Sequence, residues 1–442
     1  MKVEQQEKKG LNVGVKSFVT ALFVIFVMMV ATYGLTFVVP GAGILFWKWA
    51  LSPVLVLGGA DSGSLIAVII FLLVIGGVFN CLDKCGLMIY MLENITERFG
   101  KERYKLLAYV TLFFMGMGSF IGSFEECVPL VPIMIALAMR LGWDALVGMG
   151  MSLLAIGCGF AAGVCNPFTV GVAQELAGLP MFSGIWFRLL SFAVVYVFLL
   201  TFLTRYAKRI ERPLQESPVY VTATDVRMDK ALKVFLCMMA GGILLVLSSV
   251  FITVLQDFTM IIVALTFLSA GLVGSFMSGR LGHLWQTFFY GMRSIFPAVF
   301  MILMANSIKY TMVEGKVLQF ILDGAVSIAK TLPGFAVILF IYLIVLVMNF
   351  FISSGSAKAF LLIPLIVPVA EIFGISSQLC IVAFAFGDGF SNVIYPTNAV
   401  LLIALGVSGI DYGKWFKWSL PFQILNLILT SGLLLLGYAI GY

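Results

Sequence analysis

The chain has 442 residues, of which 62% are hydrophobic and 11% charged, and its mean hydropathy is +1.10. A soluble domain stands nearer one half apolar and one quarter charged, so the composition excludes a water-soluble fold and predicts an all-α polytopic membrane protein. Apolar runs of about 20 residues are too long for barrel strands, and the net charge of +6 lies mainly in a few loops, where it reads as a topology signal and gives no case for nucleic-acid binding.

Residues 1–16 are polar and lack a cleavage site after a short apolar core, which predicts a cytoplasmic tail and no signal peptide. Apolar runs then predict crossings over Ser17–Val39, Leu65–Phe79 with a continuation toward Leu92, Trp186–Thr204, Ala231–Leu255, Phe258–Met277, Ile295–Met312 and Ser419–Ala439. Gly41–Gly59, with Trp47, Lys48, Trp49 and Pro53, fits either an interfacial segment or an additional short span. Asp144–Ala177 and Ser377–Leu405 are longer and interrupted by polar residues, and each is predicted to be a discontinuous helix with a proline-containing break inside it.

Basic clusters orient the chain, because cytoplasmic loops carry an excess of Lys and Arg. Lys8, Lys9 and Lys16 place the N-terminus inside, and Arg98, Lys101, Arg103 and Lys105 place the next cluster inside. Arg205, Lys208, Arg209 and Arg212 open the one long polar loop, which runs to Lys230 and is also inside, as are Arg280 and Arg293. Residues 314–330 have little positive excess and fall outside. Residues 104–139 must then begin and end inside, which predicts a re-entrant hairpin with Gly122 and Ser123 at its tip. By the same count 334–371 begins and ends outside, with Ser354, Gly355 and Ser356 at its tip. The expected division is a first inverted repeat over 17–206 (hairpin 104–139, broken helix 144–177), a cytoplasmic loop and linking helix over 207–256, and a second inverted repeat over 257–442 (hairpin 334–371, broken helix 377–405). Nine to eleven spans result, and the C-terminus falls outside.

The two repeats share punctuation. Gly122-Ser123-Phe124-Glu125-Glu126, Cys165-Asn166-Pro167-Phe168-Thr169 and Gly184-Ile185-Trp186-Phe187-Arg188 recur in order as Ser353-Ser354-Gly355-Ser356-Ala357-Lys358, Tyr395-Pro396-Thr397-Asn398 and Gly413-Lys414-Trp415-Phe416-Lys417. Pro167 to Trp186 and Pro396 to Trp415 are both 19 residues, and each Gly of the last element follows its proline by 17. Paired helix breaks in corresponding places of two halves point to a transporter's solute site.

A helix broken in the bilayer frees N–H and C=O groups, which must line protein or a wet cavity. Freed N–H groups suit carboxylates, and freed carbonyls suit Na+ or protons. Two half-sites follow: Gly122 and Ser123 facing Asn166, Pro167, Phe168 and Thr169, and Ser354, Gly355 and Ser356 facing Pro396, Thr397 and Asn398. Ser123, Asn166, Thr169, Ser354, Gly355, Ser356, Thr397 and Asn398 are candidate solute ligands. Gly122, Glu125, Glu126, Asp388 and Asn392 are candidate cation-coupling residues, since a charge inside the membrane costs at least about 2.5 kcal/mol and ordinarily has a role. Asp388 and Asn392 stand at i and i+4, on one helix face leading to the second break. Lys358 would attract a substrate carboxylate, or else neutralise Asp388 or one of the two glutamates.

Other constellations are sparse. The seven cysteines lie in apolar segments and form no metal-ligand spacing, so no metal is expected beyond Na+ at the hairpin tips. His283 is the single histidine, which disfavours a histidine proton relay. Asp83, Lys84 and Lys309 read as snorkelling residues at the interfaces. No Walker motif, nucleophile elbow or HExxH occurs, and an enzyme is not expected.

Gly122 to Glu126 with Asn166-Pro167-Phe168, Ser353 to Ser356, Phe386-Gly387-Asp388-Gly389-Phe390-Ser391-Asn392, Tyr395-Pro396-Thr397, Lys414 to Lys417 and Leu420-Pro421 resemble the YfcC family, which is grouped with the anaerobic C4-dicarboxylate carriers in the ion transporter superfamily. The resemblance covers nearly the whole chain. It implies a scaffold domain and a transport domain of hairpins and broken helices, an elevator-type step, a homodimer, and secondary transport of small carboxylates or amino-acid-like solutes. The combined expectation is a multi-pass protein of the bacterial plasma membrane that carries a carboxylate-bearing solute with Na+ or H+ and needs no cofactor. Its partners are the solute and the lipid bilayer. A basic amino-acid exchanger is the alternative, with Glu125, Glu126 and Asp388 on the substrate's cationic group, and an uncoupled channel is a further one.

Overall fold

The computed structural model describes residues 15–59, 62–122, 124, 127–128, 130–213, 225–249 and 259–442. Among the described residues the chain is helical, without strands, and eight helices are long and apolar enough to cross a membrane. Most of the expected tail, the loop over 214–224, the end of the linking helix, and Ser123, Glu125 and Glu126 lie outside the described residues.

Helix α1 (Val15–Val38) leads through three short turns, Phe46–Ala50, Ser52–Leu55 and Val56–Gly58, to α2 (Ser62–Lys84). None of these turns approaches the roughly 20 residues a crossing needs, so 41–59 is not a span. It folds back on α1, where Trp49 stacks on Tyr33 at 4.7 Å and donates its indole N–H to the Met29 carbonyl at 3.1 Å. Gly86, at φ +77°, turns the chain from α2 into α3 (Leu87–Phe99). The basic cluster over 98–105 is a joint and not an open loop: one 3-10 turn, Gly100–Glu102, connects α3 to α4 (Arg103–Gly116). Arg103 pins the joint by donating to the Leu141 carbonyl at 3.0 Å and pairing with Glu211. A π-helical turn, Met117–Ile121, carries α4 to Gly122, and the chain returns as α5 (Leu130–Arg140).

Asp144 caps α6 (Ala145–Met149) through the backbone N–H groups of Leu146 and Val147. A π-turn, Gly150–Leu154, joins it to α7 (Ala155–Ala162), and after a break the chain resumes as Pro167–Gly171 and α8 (Val172–Leu176). There follow α9 (Ile185–Ile210), α10 (Val226–Ser249), α11 (Thr259–Met277), α12 (Leu284–Glu314), α13 (Val317–Ala329), α14 (Gly334–Phe351), α15 (Gly355–Ile372), α16 (Ser377–Gly389), α17 (Ala399–Ser408) and α18 (Tyr412–Ala439). Several run beyond the expected apolar runs, because Trp, Lys and Arg at helix ends keep an apolar stem in the bilayer and a polar tip in water.

The helices pack in two sets. In one, α12 lies along α1 and α2, and α11 bridges α2 and α10. In the other, α7 crosses α16, with α4 against α7, α14 and α15 against α16, and α9 and α18 against one another. Helix α17 connects the sets by touching α1 and α12 on one side and α5 on the other. Within the second set the first broken helix is the interior one: the window within Ala145–Leu176 is 94% buried, against 28% for α9. Buried backbone groups freed by its break therefore have to be satisfied inside that set.

Candidate functional site

The two interrupted helices touch near their interruptions. A Cβ on Gly389 would collide with the Ala161 backbone, and a Cβ on Gly157 would collide with Val393. Glycine at these places brings the backbones of α7 and α16 together, and with them the two breaks.

The first break begins at Gly163, which closes α7 in the left-handed region at φ +37°. Ser119 satisfies its free donors: the Ser119 hydroxyl accepts from the Val164 N–H at 3.0 Å, and its carbonyl accepts from the Cys165 N–H at 3.1 Å. The freed Val164 carbonyl accepts from Arg188 Nε at 3.1 Å. Asn166 then caps the next helical segment, its Oδ1 accepting from the N–H groups of Phe168 at 2.9 Å and Thr169 at 3.3 Å. The second break is handled by the same logic with other residues. The freed Val393 carbonyl accepts from Trp415 Nε1 at 2.7 Å, and the Ile394 carbonyl from the Tyr412 hydroxyl at 2.8 Å. Asn398 Oδ1 caps α17 through Val400 and Leu401.

Both hairpin tips reach the first break. Gly122, at φ +76°, lies directly on Asn166, and a Cβ there would also stand 2.9 Å from the Phe168 ring. Gly355 lies between Thr169 and Asp388: its Cβ would stand 2.5 Å from Thr169 Cγ2 and 2.7 Å from Asp388 Oδ2. The second tip is thus seated against the first broken helix. Ser354 and Ser356 remain accessible, and the Ser354 hydroxyl accepts from the Ala357 N–H at 3.4 Å.

Lys358 and Asp388 are both 0% exposed and form an ion pair at 2.5 Å. The Lys358 ammonium also donates to the Ile352 carbonyl at 3.0 Å and to Asn349 Oδ1. Asn349 is held by its own amide N–H groups, which donate to the Asp388 carbonyl at 2.9 Å, Ser391 Oγ at 2.6 Å and Asn392 Oδ1 at 2.9 Å. Asn398 Nδ2 donates to the same Asn392 oxygen at 3.0 Å. One network therefore ties the second tip to the second broken helix, and Asn392 and Asn398 serve within it.

Four buried polar atoms at the breaks have no hydrogen-bond partner among the described residues: Asn166 Nδ2, Thr169 Oγ1, Asp388 Oδ2 and Thr397 Oγ1. Such atoms are rare in folded proteins, and each is open to an ion, water, ligand or a residue outside the described set. All four belong to residues expected from the sequence. The donor suits a carboxylate, and the three oxygens suit a hard cation such as Na+.

Three contributors escaped the sequence reading. Asn349 is the lone amide in the apolar arm α14, nine residues before Lys358, and a polar residue isolated in such an arm is a usable signal. Arg188 appeared only as part of a spacing motif, yet it is 1% exposed and also donates to the Phe182 carbonyl at 3.2 Å. Ser119 carries no distinguishing signal. The repeated motif itself is not equivalent in the two copies, because Trp186 is 53% exposed whereas Trp415 is 0% exposed.

The family model of the C4-dicarboxylate anaerobic carrier, DcuC, matches residues 59–439. A protein of Escherichia coli (strain K12) named "Putative basic amino acid antiporter YfcC" is 30% identical over 407 residues, which are 87% of this chain and 80% of its own. An "Uncharacterized protein" of Haemophilus influenzae is 24% identical over 384 residues, 84% of this chain and 74% of its own. Among solved structures, the Alcanivorax borkumensis YdaH transporter superposes with a TM-score of 0.49 and 19% identity, over 96% of this chain and 99% of that one.

Proposed function

This chain belongs to the C4-dicarboxylate anaerobic carrier family and is a multi-pass membrane transporter, and on that footing we propose that it is a secondary transporter moving a small carboxylate-bearing solute across the bacterial plasma membrane. Coupling is to Na+ or H+, and the step is alternating access, in which the helices carrying the two breaks move against α1, α2, α10, α11 and α12. The N-terminus is cytoplasmic, and the working unit is a homodimer.

The observation that carries this reading is the set of four buried polar atoms at the breaks that have no partner among the described residues, with Asn166 and Thr169 seated against the two tips. Asn166 Nδ2 and the accessible hydroxyls of Ser354 and Ser356 would donate to the solute carboxylate. Thr169 Oγ1, on the first broken helix, would supply an oxygen to the coupling cation. Glu125 and Glu126 follow the first tip in sequence and would tune that coupling. Their acidic chemistry allows a proton in place of a metal ion.

The name of the Escherichia coli relative keeps a second reading, exchange of basic amino acids. Asp388 argues against its own part in that reading, since Lys358 already neutralises it at 2.5 Å. Uptake of a C4 dicarboxylate and of arginine into proteoliposomes, with imposed Na+ and H+ gradients, separates the two. Concentrative dicarboxylate uptake is the expected result. Arginine counterflow without dicarboxylate uptake would replace this reading with the second, and passive flux without counterflow would indicate a channel.

A further inference from the structure

The second tip already holds a cation. The Lys358 ammonium is enclosed by three oxygens of different origin: the Asp388 carboxylate, the Ile352 carbonyl and the Asn349 amide oxygen. The Ile352 carbonyl lies in the extended interruption between α14 and α15, so it is a backbone oxygen released by the break. The Asn349 oxygen is aimed by the other end of its amide, which is held by Asp388, Ser391 and Asn392. A carboxylate, a freed carbonyl and an oriented amide oxygen are the ligands that a helix break presents to Na+. No such shell has been assembled for the solute: the ammonium uses all three oxygens, and Lys358 is wholly buried.

We propose that Lys358 is a tethered cation occupying an Na+-type shell at the second tip, so that this half-site takes no mobile metal ion and metal-ion coupling is confined to the first. The consequence for coupling rests on the transporter reading above, whereas the shell stands on geometry alone. The charge balance is direct. With Lys358 in place, Asp388 is neutralised from within. Without it, Asp388 is a buried uncompensated anion beside two neutral oxygens, and a monovalent cation is the species that restores the balance.

The test is a thermal-shift titration of the purified full-length protein with NaCl against choline chloride, with no solute present. K358S removes the ammonium and leaves the three oxygens. It is expected to denature well below the wild type in choline and to regain stability with Na+, by a shift larger than any the wild type shows. K358S/D388N removes the anion as well and is expected to lose that extra Na+ response. Equal Na+ responses of K358S and the wild type would overturn the proposal. So would failure of K358S to fold in Na+ as in choline, because a shell that accepts Na+ would then be filled. An undiminished Na+ response in K358S/D388N would also count against it, by locating the ion elsewhere. Binding is read here without transport, so a negative result leaves the transporter reading intact, and failure of the uptake assays leaves this result intact.

Discussion

Gly355 offers the sharpest test of how the second tip meets the first break. Its Cβ would stand 2.5 Å from Thr169 Cγ2 and 2.7 Å from Asp388 Oδ2, where contacts under 3.0 Å are essentially never seen. Gly355→Ala must therefore displace both neighbours, and only one can yield easily. Thr169 belongs to the first broken helix, whereas the Asp388 carboxylate is held by Lys358. Overpacking of this kind costs about 1–3 kcal/mol, equivalent to roughly a 5- to 150-fold change in an equilibrium constant. Thermal denaturation of the purified protein should show a lowered Tm. Gly432→Ala, where a Cβ meets nothing within 4 Å, is the control and should be neutral or slightly stabilising. The compensating change is Thr169→Ser, which deletes the Cγ2 atom. In the double-mutant cycle Gly355→Ala and Thr169→Ser should show a favourable coupling of about 0.5–3 kcal/mol, with partial recovery, because the Asp388 contact remains. An unchanged Tm for Gly355→Ala, or strict additivity in the cycle, would refute the placement of the tip against Thr169.

Arg188→Gln should lower stability by about 1.5–3 kcal/mol per charged hydrogen bond lost, and Arg188→Lys should recover little, since an ammonium lacks the fork that reaches both Val164 and Phe182; Tm of the two variants decides. Trp415→Phe keeps an aromatic ring but is smaller and leaves the Val393 carbonyl without its 2.7 Å donor, and a loss of at least about 1–3 kcal/mol is expected from the same measurement. Asp225 lies in the segment before α10, where the Met228 N–H and then the Arg280 guanidinium hold its carboxyl below the ordinary carboxylate range. A depressed folded-state pKa stabilises above the unfolded value of about 3.9 and is lost as pH falls through the folded one. Asp225→Asn should therefore denature earlier than the wild type at neutral pH and match it under acid conditions, as read by Tm against pH.

The fold class and the two breaks were legible because they depend on composition and on glycine, proline and asparagine, whose backbone consequences are local. Gly163 and Asn166, and likewise Asn398, do at the breaks what their residue types permit: a left-handed stop and side-chain caps. The site's partners were less legible because they are set by which helix crosses which. Lys358 shows the difference. Its type and place announced a buried charge with several possible counter-ions, but only the crossing of α15 and α16 selects Asp388. Asn398 shows it too: the cap uses its oxygen and Asn392 uses its amide, so a residue expected at the solute is occupied by the scaffold of its own break.

Equal spacing and equal function come apart in the motif that follows each break. The offset of 19 residues from proline to tryptophan is the same in both copies, yet Trp186 faces outward while Trp415 is buried on the Val393 carbonyl. In the first copy the corresponding duty, covering a freed carbonyl, falls to Arg188, two residues further along the helix. Two residues turn a helix face by about 200° at 3.6 residues per turn, so α9 and α18 present different faces to their breaks. A guanidinium brings a fixed positive charge to the first break, and an indole brings none to the second, where Lys358 supplies it from the hairpin instead. Each break is thus accompanied by one buried cationic side chain delivered from a different element. Lys358 has a carboxylate partner, whereas among the described residues Arg188 donates to the carbonyls of Val164 and Phe182, to Gln378 Oε1 and to the Tyr442 hydroxyl. It is at the first break that Asn166 Nδ2 has no partner among the described residues, and on the proposed reading the Arg188 charge would favour a solute carboxylate there.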